Sequence, residues 1–396
     1  VASTSEDDMT TVAEPKYRSP WADDDVVALK EMATKFLVSE ALPHRERWIE
    51  QKHVDREFWL AAGKIGLLCA AIPEEYGGGG GTFAHDLVIF QAALELTEMG
   101  FGGGASVHSG LVANYINVYG TEEQKHRWLP KMARGEFIGA IAMTEPGGGS
   151  DLKAIRTTAT RSGDHYVVNG SKTFISNGAS ADIVILVLKT DPAAGVRGVS
   201  LLVVETRDLP GYSVGRVLDK VGMKAQDTAE LFFEDMRVPV ANLLGEEGKG
   251  YAYAMTQLAH ERVLISDMAA TMAEAAVAET VRYTKERHAF GAPLIELQNT
   301  RFELAQCATL ARVTRVYVDS CIERHLRGEL DATSASMAKL YATDVQCEVI
   351  DRCVQLFGGY GYTLEYPIAR RYVDSRAQKI YAGTSEVMKE LIARSL

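Results

Sequence analysis

The hydrophobic period of this chain changes twice, and that alternation constrains its fold more than any single motif. Over residues 23–136 apolar side chains recur three to four apart, as in Val26, Leu29, Met32, Ala33 and Phe36, the pattern of amphipathic helices. The glycines at 77–81 interrupt it as a loop, because so much backbone freedom is costly inside a regular element. Over residues 137–244 the period becomes two. Short β-rich segments at 166–168, 183–188, 199–204 and 231–233 lie between Gly, Asp and Asn turns and predict a β-domain of sandwich or barrel type. Over residues 245–396 the helical period returns in long segments at 251–287, 299–327 and 332–357, free of internal Pro, which predict an antiparallel bundle. The order helix, strand, helix makes the fold class α+β with three domains. Residues 1–22, acidic and polar with Pro15 and Pro20, read as a loose leader.

A length of 396 residues fits two to three domains, and 46% hydrophobic content is enough to give each a core. Asp and Glu number 53 against 42 Lys and Arg, a net charge of −11 at pH 7. That balance argues against phosphate neutralisation on a nucleic acid and against docking on an anionic membrane. Five cysteines (Cys69, Cys307, Cys321, Cys347, Cys353) are odd in number and form no C-x-x-C pair, which favours a reducing compartment over a disulfide framework or structural zinc. The longest aliphatic run, 183–188, is far short of the ~20 residues that span a bilayer. The first 25 residues lack a basic, apolar or Arg-rich targeting pattern, so a cytoplasmic protein is expected.

Several chemistries lack their motifs. There is no G-x-S-x-G elbow, no Walker loop, and no G-x-G-x-x-G between a strand and a helix. His260-Glu261 opens like a zinc motif, but Leu264 stands where the second His belongs, so no metal site is expected. Hydrolase, kinase and nicotinamide chemistries are therefore disfavoured.

Four stretches stand out. In Ala142-Met143-Thr144-Glu145-Pro146-Gly147-Gly148-Gly149-Ser150-Asp151 three glycines beside hydroxyl side chains open the backbone N–H groups to a polar ligand; taken alone, a linker would look the same. The others are Lys172-Thr173-Phe174-Ile175-Ser176-Asn177-Gly178; Gln355-Leu356-Phe357-Gly358-Gly359-Tyr360-Gly361-Tyr362 with Glu365, Arg370 and Asp374; and Tyr381-Ala382-Gly383-Thr384-Ser385-Glu386. In this order and spacing they resemble the acyl-CoA dehydrogenase family over residues 20–394, and the first and third match both family signatures. Residues 72–77, 221–223 and 287–291 match further segments.

The resemblance implies an N-terminal helical domain, a middle β-barrel or sandwich and a C-terminal four-helix bundle. It also implies a homotetramer, a dimer of dimers, that holds FAD without a covalent bond. Such a protein would oxidise an acyl-CoA to the trans-2-enoyl-CoA and pass electrons to an electron-transfer flavoprotein. By the same resemblance Ile141, Met143, Thr144, Gly149 and Ser150, with Phe174 and Ser176, line the flavin and its ribityl chain; many members have Trp where Phe174 stands. Arg287, Phe290, Gln298, Gln355, Gly358 and Gly359 would reach it from a neighbouring subunit, and Thr384 and Glu386 would meet its adenosine and pyrophosphate end. Ser150, Arg262, Gly383 and Arg394 would contact the substrate, with Arg262 and Arg394 as cations near the base.

The reaction implied needs a carboxylate to take the α-proton while the β-hydrogen leaves as hydride to flavin N5, and burial raises the pKa of such a base toward its task. Most members supply a Glu directly after the Tyr of the fourth stretch, where this chain has Ala382. Glu261 follows Leu258 by three residues and precedes Ile265 by four, on the apolar stripe of a helix. A carboxylate there is either paired, with a neighbour such as Arg262, or functional. The long-chain and isovaleryl branches carry their base on this helix in a Glu-Arg pair, and the resemblance assigns the role to Glu261. The backbone N–H at Ala382 would still polarise the thioester carbonyl, since a main-chain donor is indifferent to its side chain. Glu145 and Glu386 are expected to be structural, and His260 a packing or hydrogen-bonding residue.

Gly100, Gly102, Gly103, Gly104 and Ala105, taken as a helix break, would leave room in the acyl pocket, though close helix packing would ask for the same residues. Residues 106–110 and 315–321 resemble the long-chain branch, while Ala252 stands where that branch has a substrate-contacting Tyr. A medium-to-long straight chain is the first expectation and a short branched one the second. Ala382 also leaves open a catalytically silent flavin-binding scaffold, and oxygen as electron acceptor would make the chain an oxidase.

Overall fold

In the computed structural model, which describes residues 17–396, the N-terminal helices are α1 (Asp24–Glu40), α2 (Arg45–Gln51), α3 (Arg56–Lys64), α4 (Phe83–Glu95), α5 (Met99–Ala105), α6 (Asn114–Tyr119) and α7 (Glu122–Ala133). Helix α1 starts where the Asp23 carboxylate accepts the Val26 N–H, and α7 where Thr121 and Gln124 form a reciprocal cap. Between α5 and α6, Ser106–Ala113 continues the helix in π form. The expected break at 99–105 is therefore a correction: the chain stays helical. A Cβ on Gly100 would come within 2.7 Å of Ala225 Cβ, and one on Gly102 within 2.9 Å of Ala93 Cβ. On Gly103 it would meet Gln226 at 2.8 Å, and on Gly104 Asn177 at 3.0 Å. These glycines serve close packing and do not hollow out a channel.

The middle domain is a seven-stranded sheet of β1 (Gly139–Ala142), β2 (Thr158–Ser162), β3 (His165–Ser176), β4 (Ile183–Lys189), β5 (Val199–Glu205), β6 (Tyr212–Val217) and β7 (Thr228–Pro239), in the order β1-β4-β2-β3-β7-β6 with β5 along β4. Strand β4 is apolar from Ile183 to Leu188 because both faces are covered. Ile183, Ile185 and Val187 pack with Tyr115, Trp128 and Leu129, while Val184, Leu186 and Leu188 pack with Tyr166, Leu231 and Val238.

The C-terminal domain contains α8 (Gly250–Glu286), α9 (Gln298–Leu326), α10 (Ala332–Phe357), α11 (Pro367–Ser375) and α12 (Ser385–Ala393). One core cluster joins it to the first domain, since Leu87 and Phe90 of α4 pack with Leu264 and Met268 of α8 and Val349 of α10. Residues 1–16 of the leader lie outside the described residues. Its end is not loose: the Tyr17 hydroxyl and the Trp21 indole donate to the buried Asp319 carboxylate at 2.7 and 2.8 Å, which supplies donors that a buried charge requires.

The π segment is tied to the sheet. His108 accepts the Gly139 N–H at Nδ1 (3.0 Å) and donates from Nε2 to Met132 O (3.1 Å), and burial pushes its pKa down to about 4. Asn177 donates to Gly104 O and Gly139 O at 2.9 and 3.0 Å. These bonds fix the middle domain against the helices that carry the site.

Candidate active site

Glu261 lies in the first half of α8 and is 7% exposed. Burial in an apolar surround raises its carboxyl to about 7, against the opposing pull of a Tyr115 hydrogen bond and the Arg262 charge. The Tyr115 hydroxyl donates to Oε1 at 3.1 Å, and burial keeps that phenol protonated by raising its own pKa. Arg262 turns the other way: its Nη1 donates to Ser336 Oγ on α10 at 3.2 Å, and its Nε has no partner among the described residues. The partner of Glu261 is thus a phenol from α6, not the neighbouring guanidinium. His260 donates from Nε2 to Gly110 O at 2.8 Å and accepts from His325 Nε2 at 3.0 Å, so it bonds α8 to the π segment. Burial pushes it down to about 3, which keeps it neutral and suits the structural role expected of it.

The turn at 381–384 faces the same helices. Ala382 packs on the cluster that contains Val263, Leu264 and Ile265. Ala382 and Gly383 take φ of 51° and 95°, and among the described residues the Ala382 N–H donates to no backbone oxygen. Gly383 O accepts from the buried Lys339 Nζ of α10 at 2.6 Å. Thr384 caps α12 through the Val387 N–H, and Glu386 is exposed in its first turn. Beside them is a cleft of about 240 Å³ lined by Arg376, Lys379 and Ser385, whose buried Oγ has no partner among the described residues. Arg394 departs from expectation. It sits at the end of α12, 71% exposed and paired with Glu390 at 2.7 Å, and is not a buried cation.

The first and second stretches are zipped together. Thr173 N–H donates to Thr144 O at 2.9 Å, and the buried Lys172 ammonium reaches both Met143 O and Glu145 Oε1 at 2.9 Å. Glu145 also accepts the Arg156 and Thr157 N–H groups at 2.7 and 2.9 Å. Burial raises its pKa, but these donors outweigh it and hold the carboxyl below the usual range. Around this strap, Ile141, Met143, Thr144 and Ser176 are half-buried, and Gly149 and Ser150 are exposed. Phe174 is 66% exposed at φ 58°. A Cβ built on Gly147, Gly149, Gly358 or Gly359 meets nothing within 4 Å. The open backbone, the outward aromatic ring and the polar rim suit a flat aromatic cofactor with a polar tail.

A second group gathers at the far end of α8. Tyr283 stacks on Phe357 at 4.0 Å and donates to its carbonyl, Arg287 lies over the Tyr360 ring at 5.6 Å, and Phe290 is 95% exposed. Gln298, Gln355, Gly358 and Gly359 are exposed as well. Arg287 follows Glu261 by 26 residues along the α8 axis, about 39 Å at 1.5 Å per residue. One chain therefore does not bring both groups to one base.

The Acyl-CoA dehydrogenase N-terminal, middle and C-terminal domain families match residues 23–136, 140–236 and 248–396. The chain belongs to the acyl-CoA dehydrogenase family. It is 48% identical over 371 residues to the long-chain specific acyl-CoA dehydrogenase, mitochondrial, of Rattus norvegicus, covering 93% of this chain and 85% of that one. The crystal structure of the acyl-CoA dehydrogenase from Geobacillus kaustophilus superposes with a TM-score of 0.92 at 47% identity, covering 96% and 99% of the two chains. A glutaryl-CoA dehydrogenase from Mycobacterium smegmatis, solved in complex with FADH2, is similar with a TM-score of 0.87 at 28% identity over 94% of each chain. Within this acyl-CoA dehydrogenase fold, Tyr115, Ser336 and Lys339 are the contacts that sequence reasoning missed. Tyr115 lies between Asn114 and Ile116 with no signal of its own, whereas Lys339, on a stripe with Ala335, Ala338 and Ala342, could have been flagged as an inward cation.

Proposed function

We propose that the chain is an FAD-dependent acyl-CoA dehydrogenase in which Glu261 removes the α-proton of the thioester. One observation carries this reading: a buried carboxyl raised to about 7, bonded by a tyrosine and not neutralised by an arginine, on α8 beside a turn that offers Ala382 and no acid. Near neutral pH such a group is part ionised and able to accept a proton from a weak carbon acid. The Ala382 N–H, with no backbone acceptor of its own among the described residues, donates to the thioester oxygen as negative charge develops there. Bound FAD would supply the acceptor for the β-hydrogen, and the product is the trans-2-enoyl-CoA. Ile141, Met143, Thr144, Gly149, Ser150, Phe174 and Ser176 hold the FAD from one chain, and Thr384 and Glu386 meet its adenosine end. Arg287, Phe290, Gln298, Gln355, Gly358 and Gly359 come from a second copy, a reading supported by the run of about 39 Å along α8 between Glu261 and Arg287. The assembly is a homotetramer built from two such dimers.

Ser150, Arg262 and Gly383 contact the acyl-CoA, with Arg394 meeting its outer end from the surface. The rat relative, named for long chains, favours a medium-to-long straight acyl group; the packed glycines of α5 no longer add to that preference. Electrons leave to an electron-transfer flavoprotein. No helix among the described residues is long and apolar enough to cross a membrane, and the reading places the enzyme in the cytoplasm. Anaerobic bleaching of the flavin by a panel of straight and branched acyl-CoAs tests the activity. Glu261→Gln should keep its flavin and lose about 10²–10⁴-fold in bleaching rate. An undiminished rate removes Glu261 from the role, no bleaching of wild type with any chain favours a silent scaffold, and rapid reoxidation by air favours an oxidase.

A further inference from the structure

We propose that Lys339 is a positioning residue for the reaction, fixing the Gly383 carbonyl so that the Ala382 amide points at the thioester oxygen. This rests on the reading of that amide as the oxyanion donor. Lys339 is fully buried, and its single side-chain hydrogen bond among the described residues runs 2.6 Å to Gly383 O. No carboxylate lies within salt-bridge distance among the described residues; Asp344 and Glu386 act on it only from farther off, and Arg262 and Lys379 oppose its charge. Burial, the larger influence, pushes the ammonium down to about 8. A cation in such a place is costly, and methionine would fill the volume without that cost, so packing alone does not account for a lysine.

The turn it holds needs holding. Ala382 and Gly383 both adopt positive φ, a region disfavoured for a residue with a Cβ, and the amide of Ala382 has no backbone acceptor to set its direction among the described residues. Anchoring the carbonyl of the next residue restrains both torsions. Ser336 and Lys339 lie three apart on α10 and so share a face. That face bonds Arg262, next to the base, through Ser336 and the oxyanion turn through Lys339. Helix α10 is thus the common backing that keeps proton acceptor and amide donor at a fixed separation.

The test uses the flavin-loaded enzyme and a 3-oxoacyl-CoA, whose acidic α-carbon ionises on binding without reducing the flavin, so that enolate absorbance reports oxyanion stabilisation directly. Lys339→Met should keep its flavin, raise the apparent pKa of the bound probe by about one unit, and lower kcat about 10–100-fold with KM within about twofold. Lys339→Arg, which returns a donor, should recover most of the loss. Unchanged ionisation of the probe in Lys339→Met overturns the proposal. So does failure of both variants to fold, which would make Lys339 a stability residue. If wild type binds the probe without ionising it, the oxyanion reading of Ala382 itself fails; wild type responding while the variant matches it leaves that reading intact and removes Lys339 alone.

Discussion

The phenol of Tyr115 and the burial of Glu261 pull the same carboxyl in opposite directions. Burial disfavours the charged form, while the hydrogen bond at 3.1 Å favours it. Removing the hydroxyl with Tyr115→Phe leaves burial unopposed on that side, so the carboxyl pKa rises by about one unit. The pH–rate profile for flavin bleaching should move its acidic limb upward by that amount, with the alkaline plateau retained; a limb that stays in place would show that the bond does not tune the base. The burial of Glu261 was legible in the sequence because its spacing from Leu258 and Ile265 puts it on an apolar stripe, while its assignment as base came from the family resemblance. Tyr115 was not, because it meets Glu261 across 146 positions and no local period encodes that contact. The exposure of Arg394 was not legible for a related reason: matching a family position says nothing of whether Glu390, four residues earlier, draws the side chain along the helix surface.

Helix α5 shows how packing overrides propensity. Four glycines in seven residues argue for a break, yet each packs closely on a neighbour, and at Gly100 and Gly102 a Cβ would come within 3 Å of an alanine methyl. Gly102→Ala should gain a little intrinsic helicity but force α4 and α5 apart at Ala93, for a net loss of about 1–2 kcal/mol in chemical denaturation. Its acyl-length preference should match wild type; a shifted preference would return these residues to the pocket floor. The long helices of the C-terminal domain were legible to within one residue at each end, because a 3.6 period sustained over many turns has no competitor. The π form of Ser106–Ala113 was not, since a widened turn has no residue signature of its own; in the structure His108 bonds the segment to Met132 and Gly139, and His260 of α8 donates to Gly110 O within it.

At the scale of the whole molecule, the buried acid proposed as the base works against the fold. Its pKa in the native state, about 7, lies above the usual 4.5. The native chain therefore holds that proton more tightly than the unfolded one, and the stabilisation it brings is complete below about pH 4.5 and lost as pH rises through about 7. Glu261→Gln should melt close to wild type at pH 4.5 and pull ahead above pH 7, by up to about 3 kcal/mol. Equal melting curves at both pH values would mean that the carboxyl is not desolvated. The sequence of domains was legible from the period alone; the separation of about 39 Å between the base and the Arg287 group was not, because it needs the straight run of α8 to be known. The strap between Lys172 and Glu145 has a consequence of its own at this scale. Every bond in it is made by the chain, so the proposed cradle takes its shape when the middle domain folds, and the entropy of arranging it would fall on folding and not on capture of a prosthetic group.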